Sequence, residues 1–287
     1  MQTAQFQLHA EIEERHWWFV ARRKIVRRLV ETVLPPDQKG TVIDVGCGTG
    51  ANIASLSNGY RCIGIDASAE AIELAERRYP QVEFHHGFAP QDLGDRFAEA
   101  DLVMLNDVLE HVPDDFQLLS SLLAAAKPGA YFLITVPADM ALWSPHDESF
   151  GHYRRYDMAR FGQLWAGLPM TTLLASPFNS RLYPIVRWIR ERNRTRGESS
   201  GTVGTDFEVP HPLINWTLRT VFSGEASRLK NLTTGHSKRI YRHGVSLVAL
   251  LRREPGPIRV RREPANLMAD GNDAGCIASV EQDLVHT

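Results

Sequence analysis

The sequence predicts an α/β fold in which helices cover both faces of a doubly wound sheet of seven strands. Short apolar runs alternate with amphipathic segments between residues 41 and 137. Apolar runs separated by helices indicate parallel strands that are buried on both faces. Two further apolar runs, 170–178 and 243–253, enclose a basic segment with a helical pattern. The predicted architecture is therefore a Rossmann-like sheet with an N-terminal helix and a helical insert before the last strand.

The individual elements follow in chain order. Residues 1–36 are assigned to an N-terminal helix that is regular over 11–33, has Glu11, Glu13 and Glu14 in its first turns and is ended by Pro35 and Pro36. Residues 37–253 form the main domain, and residues 254–287 are polar with little pattern, so we expect a disordered tail. The predicted strands are 41–46, 61–68, 82–87, 100–107, 130–137, 170–178 and 243–253, with helices between them.

Composition excludes several classes of protein. The chain has 287 residues and a formal net charge of −2, without the basic excess of a dedicated nucleic-acid binder. Its cysteines, Cys47, Cys62 and Cys276, are too few and too scattered for a disulfide framework or a zinc site. We therefore expect a reducing, cytoplasmic location and no metal. No signal peptide or membrane-spanning run is recognised.

A glycine turn preceded by an acid follows the first strand, in VIDVGCGTG (42–50). Gly46, Gly48 and Gly50 allow the backbone to approach a ligand closely, and the helix that starts after them presents its amides to that ligand. Together with Ala51, the turn also satisfies the dinucleotide fingerprint G-x-G-x-x-G/A. NAD is therefore one candidate cofactor, and an NAD-dependent oxidoreductase is one candidate function.

Two carboxylates favour a different cofactor. Asp44 would oppose the pyrophosphate of a dinucleotide but would attract an ammonium group. Asp66 ends the second strand, where a carboxylate can hold the two hydroxyls of a ribose. Asp66 could instead cap the following helix, although Ser68 is equally suited to that role. An ammonium near the first strand and a ribose near the second together describe S-adenosylmethionine (SAM).

VIDVGCGTG, GIDAS and DLVMLNDVLEHVPD resemble the successive motifs of class I SAM-dependent methyltransferases, over about residues 40–140. Later segments, among them WSPHDESFGHYRRYD, are similar to a broad bacterial group that acts on small molecules, natural products or glycans. The resemblance implies that SAM is the cofactor and that the motif residues bind it. The implied contacts are the amino group for Asp44 with the backbone of Gly46 and Gly48, the ribose for Asp66, the adenine for Ala67, and the methionine end for Asn106. Cys47 and Gly50 are expected to be cofactor-binding residues of the same turn.

The expected adenine contact departs from the pattern of that family. The family often has Gly-Asp after the third strand, whereas here Gly87 is followed by Phe88. Either Phe88 contacts the adenine through its ring and backbone, or Asp92 replaces the missing acid.

Aromatic and basic residues are concentrated in HWWFVARRK (16–24). Trp18 and Arg22 are four residues apart and share a helix face. This helix is expected to form a lid over the cofactor, with Arg22 facing the methionine carboxylate, because a guanidinium binds a carboxylate through two hydrogen bonds. In the alternative interpretation the aromatics pack the helix onto the sheet and the cations are solvated.

The segment WSPHDESFGHYRRYD (143–157) follows the fifth strand, at the edge where open α/β sheets bind ligands. Methyl transfer depends mainly on orientation, and a hydroxyl acceptor also benefits from a general base. A metal site is not expected, since the spacing of the ionisable residues matches no metal motif. Three histidines are candidate bases: His146, which is expected to pair with Asp147 or Glu148; His152; and His111, which follows the fourth strand. In the alternative interpretation these side chains have packing roles only.

The basic insert, 178–242, holds twelve Lys/Arg against five Asp/Glu. It is expected to form a cap on the acceptor side that favours an anionic or glycosylated substrate. An anionic membrane surface is a possible but less favoured partner, because Pro184 interrupts the pattern, and an ordinary cap with a solvated basic face is the third interpretation.

The predicted function is methyl transfer from SAM to a small-molecule acceptor, with oxygen favoured and nitrogen or carbon left open. The alternatives are the NAD-dependent oxidoreductase and a SAM-binding protein without turnover. Each of these would use the same glycine turn.

Overall fold

The structure is a computed structural model that describes residues 3–196, 208–258 and 260. The tail expected at 254–287 lies almost wholly outside these residues. The described part contains one sheet of seven strands, in the order β3-β2-β1-β4-β5-β7-β6. The strands are β1 (Thr41–Val45), β2 (Arg61–Asp66), β3 (Glu83–His86), β4 (Leu102–Asn106), β5 (Tyr131–Pro137), β6 (Met170–Phe178) and β7 (Ser246–Arg253).

Strands β1 to β5 pair in parallel, whereas β7 runs antiparallel to both β5 and β6. The α/β prediction with seven strands is confirmed, and the sheet is mixed rather than wholly parallel. The difference arises because the chain leaves β6, passes through the helical insert and returns between β5 and β6. An antiparallel strand near one edge is common in such sheets.

Helices lie between the strands, and three of them form the insert between β6 and β7. Within the described residues, none is both long enough and apolar enough to cross a bilayer. The helices are α1 (Thr3–Ile12), α2 (Trp17–Val33), α3 (Ala51–Ala54), α4 (Ala69–Arg78), α5 (Asp95–Ala98), α6 (Asp115–Ala125), α7 (Pro145–Ser149), α8 (Met158–Gln163), α9 (Tyr183–Arg196), α10 (Pro212–Ser223) and α11 (Ala226–Thr233).

The N-terminal region is two helices, not the single helix predicted over 11–33. Helix α1 ends at Ile12, and α2 begins after His16, whose ring accepts a hydrogen bond from the amide of Trp18 (3.3 Å). Glu13, expected in the first turn of the helix, is buried in the intervening turn. Its carboxylate accepts a hydrogen bond from the Thr49 hydroxyl (2.9 Å) and pairs with Arg78. This buried polar anchor explains the break, because it ties the turn to the domain.

Alternation along the strands divides the hydrophobic core between the two faces of the sheet. On β1, Val42 belongs to the core under α2, α4 and α11, while Ile43 belongs to the core under α6 and α8. Successive side chains of a strand point to opposite faces, so a continuously apolar strand fills both cores. The few polar side chains of the strands are therefore conspicuous, Asp44 and Asn106 above all.

The insert packs against the N-terminal helices and closes one end of the sheet. Helix α2 contacts α10 and α11. Asn215 of α10 accepts a hydrogen bond from the amide of Trp17 and donates one to the carbonyl of Arg15, both at 2.8 Å. The turn before α2 is thus held by the insert, directly over the carboxyl ends of the central strands.

Candidate active site

A cavity of about 410 Å³ opens at the carboxyl ends of β1, β4 and β5, with walls from α1, α2, α9 and α10. This is the position at which open α/β sheets bind ligands. Several predicted site residues line it, namely Trp18, Arg22, Gly46, Cys47, Gly48, Asn106, His111, His146 and His152. The others, namely Asp44, Gly50, Asp66, Ala67, Phe88 and Asp147, are not among the lining residues.

The glycines of the turn have different physical roles. A Cβ on Gly46 would lie 2.7 Å from a methyl carbon of Val108, and one on Gly50 would lie 2.8 Å from the ring of Phe84. Both positions also have positive φ, so packing and backbone conformation require glycine there. Gly48 has a φ of +53°, and nothing lies within 4 Å of its added Cβ. Gly48 is therefore the glycine of the turn that leaves room for a ligand.

Asp44 and Asn106 form a buried polar pair at the ends of β1 and β4. The Asn106 amide donates to Asp44 Oδ1 at 3.2 Å. Asp44 Oδ2 and Asn106 Oδ1 have no hydrogen-bond partner among the described residues. Burial raises the pKa of Asp44 to about 7, against the opposing effects of Asn106 and Arg22. Two unpartnered buried acceptors beside the glycine turn fit an ammonium donor such as the amino group of SAM.

Asp66, Ala67 and Phe88 do not line the cavity, although the Asp66 side chain is bonded to the glycine turn. The Asp66 carboxylate accepts hydrogen bonds from the amides of Gly48 (2.8 Å) and Ser68 (2.9 Å). Ser68 caps α4, which excludes the capping role considered for Asp66. Phe88 is 67% exposed, and its amide donates to Asp92 (2.7 Å). The ribose and adenine contacts at these residues stay predictions.

Arg22 and Trp18 of α2 contribute to the roof of the cavity. The Arg22 guanidinium lies 4.3 Å from the centre of the Trp18 ring and pairs with Asp107, which follows β4. Its side chain is buried, so the alternative of a solvated cation is wrong at this position. Burial lowers the pKa of Arg22 to about 10, and the Arg22 Nε atom has no partner among the described residues. The guanidinium thus keeps one donor for a ligand carboxylate.

The loop after α7 is fastened along the segment that follows β4. The amide of Tyr153 donates to the carbonyl of Glu110 (2.7 Å), and Arg154 donates to the carbonyl of Val112 (2.9 Å). These bonds bring the rings of His111 and His152 into an edge-to-face contact, with 4.6 Å between their centres. Two of the predicted bases therefore meet at one wall of the cavity.

Asp147 orients His152. It is fully buried, and its Oδ1 accepts hydrogen bonds from His152 Nδ1 (2.9 Å) and Arg155 Nε (2.8 Å). Although burial raises the pKa of Asp147, the His152 hydrogen bond and the charges of Arg155 and Arg190 together bring it below its usual range. Asp147 is thus a permanent anion that orients a base. The prediction paired His146 with Asp147 or Glu148, whereas in the structure it is His152 that makes the 2.9 Å hydrogen bond to Asp147.

His146 and His111 are the other two histidines of this wall. Burial lowers the pKa of both rings, to about 3 for His111 and well below the usual value for His146. The His146 ring packs on Phe150, with 4.6 Å between the ring centres, and lies 6.4 Å from the His152 ring. Neutral imidazoles can accept protons or ligate metals.

Glu110 was not among the predicted site residues. It lies between the region expected to bind the cofactor and the region expected to bind the acceptor. It belongs to the 3₁₀ helix Leu109–His111 and lines the cavity although it is 0% exposed. Neither carboxyl oxygen has a hydrogen-bond partner among the described residues. Its position beside His111, after a strand, was the available signal, because polar residues at the carboxyl ends of strands face ligands in this architecture.

Comparisons with known proteins identify the family of the chain. A family model described as a methyltransferase domain matches residues 17–181. A trans-aconitate 2-methyltransferase of Azoarcus sp. (strain BH72) is 35% identical over 123 residues, which are 40% of this chain and 46% of that protein. One from Deinococcus radiodurans is 25% identical over 191 residues, 58% of this chain and 71% of that protein. The chain spans about half the length of the first curated relatives that it matches.

The solved structure of the plantazolicin methyltransferase BpumL in complex with SAH has the same fold. Its TM-score is 0.53 at 13% identity, over 88% of this chain and 90% of that chain. The family match is the stronger finding, because it covers more than half of the chain. The matched residues include the glycine turn, the end of β4 and the histidine wall, which is the side of the cavity formed by His111, His146 and His152. The buried acid Asp44 also disfavours the NAD alternative. The chain belongs to the methyltransferase-domain family, the class I SAM-dependent methyltransferases, and its cofactor is S-adenosylmethionine.

Proposed function

We propose that the protein transfers a methyl group from SAM to an oxygen atom of a small-molecule acceptor held in the cavity. The observation that carries this proposal is the continuity of the cavity. One wall is the glycine turn with Asn106, and the opposite wall holds His111, His146 and His152. A donor on the first wall and an acceptor on the second would meet within one enclosed space.

The cofactor side has residues suited to each charged group of the donor. Asp44 and Asn106 would accept from the ammonium, and Arg22 would donate to the carboxylate through Nε. Asp66 would hold the ribose from the rim of the turn. SAM supplies a methyl group on a sulfonium, so the protein has to position that group and to exclude water, effects worth up to about 7–11 kcal/mol together.

The acceptor side has an oriented base. Asp147 holds Nδ1 of His152, which fixes the orientation of the imidazole. Other enzymes that remove a proton from a hydroxyl also use a base whose side chain is oriented by a second residue. An acceptor hydroxyl in the cavity would give its proton to the histidine wall as its oxygen becomes nucleophilic.

The walls also indicate the chemistry of the acceptor. Arg155 and Arg190 line the cavity next to the aromatic rings of Phe19 and Phe150. Cations and aromatic surface together suit an anionic or aromatic small molecule. The names of the relatives point the same way, since trans-aconitate is a small anion with carboxylate oxygens.

The test uses SAM with a panel of hydroxyl and carboxylate acceptors, with methyl transfer followed by mass spectrometry. His152→Ala should lower kcat for a hydroxyl acceptor by about 10²–10⁴-fold and leave the Kd of SAM within twofold. A carboxylate acceptor needs no base and should lose far less. The exposed His236→Ala serves as a matched control outside the cavity. Transfer to nitrogen or carbon alone would contradict the proposal.

A further inference from the structure

We propose that Glu110, His111 and His152 form a binding site for a divalent transition metal that faces the acceptor cavity. One potential ligand atom from each residue lies within 4.8 Å of the other two, and all three residues line the cavity. Bonds of about 2.0–2.2 Å to imidazole nitrogen and carboxylate oxygen put ligand atoms up to about 4 Å apart. Shifts below about 1 Å would therefore bring all three onto one ion.

The state of Glu110 supplies an independent reason for a ligand here. The carboxyl group is fully buried, and neither oxygen has a partner among the described residues. An unpaired buried polar group costs about 1–3 kcal/mol, and a charged one costs more. The nearest guanidiniums are engaged elsewhere, since Arg22 pairs with Asp107 and Arg155 with Asp147. A cation bound at Glu110 would satisfy a group that the fold leaves unsatisfied.

His152 is oriented as metal-binding histidines are. Metal-ligating imidazoles usually direct their second ring nitrogen to a carboxylate or a backbone carbonyl, which fixes the ring. His152 directs Nδ1 to Asp147 (2.9 Å), and the His111 ring packs edge-to-face against the His152 ring, with 4.6 Å between their centres. Asp147 is itself held by Arg155 (2.8 Å). Asp147 and Arg155, which fix the orientation of the His152 ring, are therefore already in place for metal binding.

The donor set indicates the class of metal. Two imidazoles and one carboxylate, without a thiolate, suit Zn²⁺, Mn²⁺, Fe²⁺ or Co²⁺, whereas Ca²⁺ and Mg²⁺ prefer an all-oxygen set. Three protein ligands leave open positions, and these face the cavity. With an ion bound, His152 Nε2 would be a ligand and could not also act as the base of the proposed function. The ion would then lower the pKa of an acceptor hydroxyl held in an open position, and His146 would be the histidine of that wall outside the ligand set. This role depends on the proposed function, but metal binding does not.

The sequence predicted no metal, because His146, Asp147 and His152 match no metal motif. The structure changes the candidate set. Asp147 is engaged with His152 and Arg155 and so lies behind the ligands, while Glu110 comes from a segment some 40 residues earlier in the chain. A donor set drawn from two loops has no fixed spacing in the sequence.

The test is metal titration of the full chain, purified without a histidine tag and treated with a chelator. Zn²⁺, Mn²⁺ and Co²⁺ are titrated separately by calorimetry, and Co²⁺ is also followed by its visible absorption. We expect one tightly bound ion per chain. Glu110→Gln and His152→Ala should each weaken the binding at least tenfold, while His146→Ala, a histidine of the same wall outside the ligand set, should stay within twofold.

Two outcomes would overturn the metal site: no ion bound in a one-to-one ratio, or an equal loss in His146→Ala. Circular dichroism and the thermal midpoint of each variant exclude misfolding, and the nearly isosteric Glu110→Gln is the variant least disposed to it. SAM binding by the metal-free chain is measured separately. If the native chain binds SAM but no metal ion, this inference alone is rejected. If it does not bind SAM, the proposed function is rejected.

Discussion

Asp44 shows how a single residue can decide between cofactors. It lies among the apolar residues Val42, Ile43 and Val45 of β1, with one oxygen bonded to Asn106 and the other without a partner among the described residues. A buried carboxyl of this kind destabilises the fold unless a ligand meets it. The pKa of about 7 reflects that cost, because burial opposes the charged form. The same property predicts how cofactor affinity depends on pH.

SAM affinity should fall as the pH is lowered below 7. In the free protein Asp44 takes up a proton through its raised pKa, and the ammonium of SAM needs the carboxylate, so binding must release that proton. The expected loss approaches tenfold per pH unit between pH 7 and 5.5, where the SAM amino group stays charged. Calorimetry in two buffers of different ionisation enthalpy measures the released proton. Asp44→Asn should bind SAM weakly and without this slope; a flat profile for the native chain would contradict it.

Alanine substitutions at two glycines of the turn should have different effects, one mainly on thermal stability and the other mainly on SAM affinity. Gly50→Ala places a Cβ 2.8 Å from the Phe84 ring, so we expect a loss of several °C in the thermal midpoint. Gly48→Ala meets no neighbouring atom and should cost less stability, from its φ of +53° alone, while weakening SAM binding at least tenfold. Scanning calorimetry and SAM titration of both variants are compared. Equal stability losses, or normal SAM binding by Gly48→Ala, would go against the assigned roles.

At the scale of elements, the site depends on contacts between segments that are far apart in the chain. The insert reaches the N-terminal turn through Asn215, and the loop after α7 reaches the end of β4 through Tyr153 and Arg154. These contacts put α2 over the glycine turn and His152 beside His111. The cavity is thus lined by segments that are far apart in the chain.

Weakening the contact between α10 and α2 should affect SAM more than the fold. Asn215→Ala removes both hydrogen bonds to the turn before α2, each worth about 0.5–1.5 kcal/mol. We expect the Kd of SAM to rise about 5–20-fold and the thermal midpoint to fall by a few °C at most. Thr217→Ala, on the same helix but exposed, is the control. If the two variants bind SAM equally well, α10 does not hold the lid.

Local sequence patterns predict the helices and strands, but they do not predict the tertiary contacts between them. Apolar runs and Pro35 located the strands and the end of the first helical region, and Gly46 to Gly50 located the turn. The break between α1 and α2 was missed because the acids at 11–14 suit a first helical turn. Glu13 is instead buried against Thr49 and Arg78, a partnership that no local pattern reveals.

At the scale of the whole molecule, the sheet order brings the ends of β1, β4 and β5 side by side, and the insert closes the space above them. The sequence predicted this architecture, and because the motifs are contiguous it also located the glycine turn and Asn106, which line the cavity. It could not rank the histidines, since the Asp147–His152 pair and the contact of His152 with His111 arise from folding. Glu110 was missed for the same reason.

The measurement that tests the central claim most directly is a crystal structure of the full chain with SAH. The account predicts the amino group of SAH against Asp44 and Asn106, its carboxylate toward Arg22, its ribose at Asp66, and its sulfur directed at the cavity of His111 and His152. Density for the nucleoside away from Asp44 and Asp66, or a sulfur turned away from the histidine wall, would contradict it.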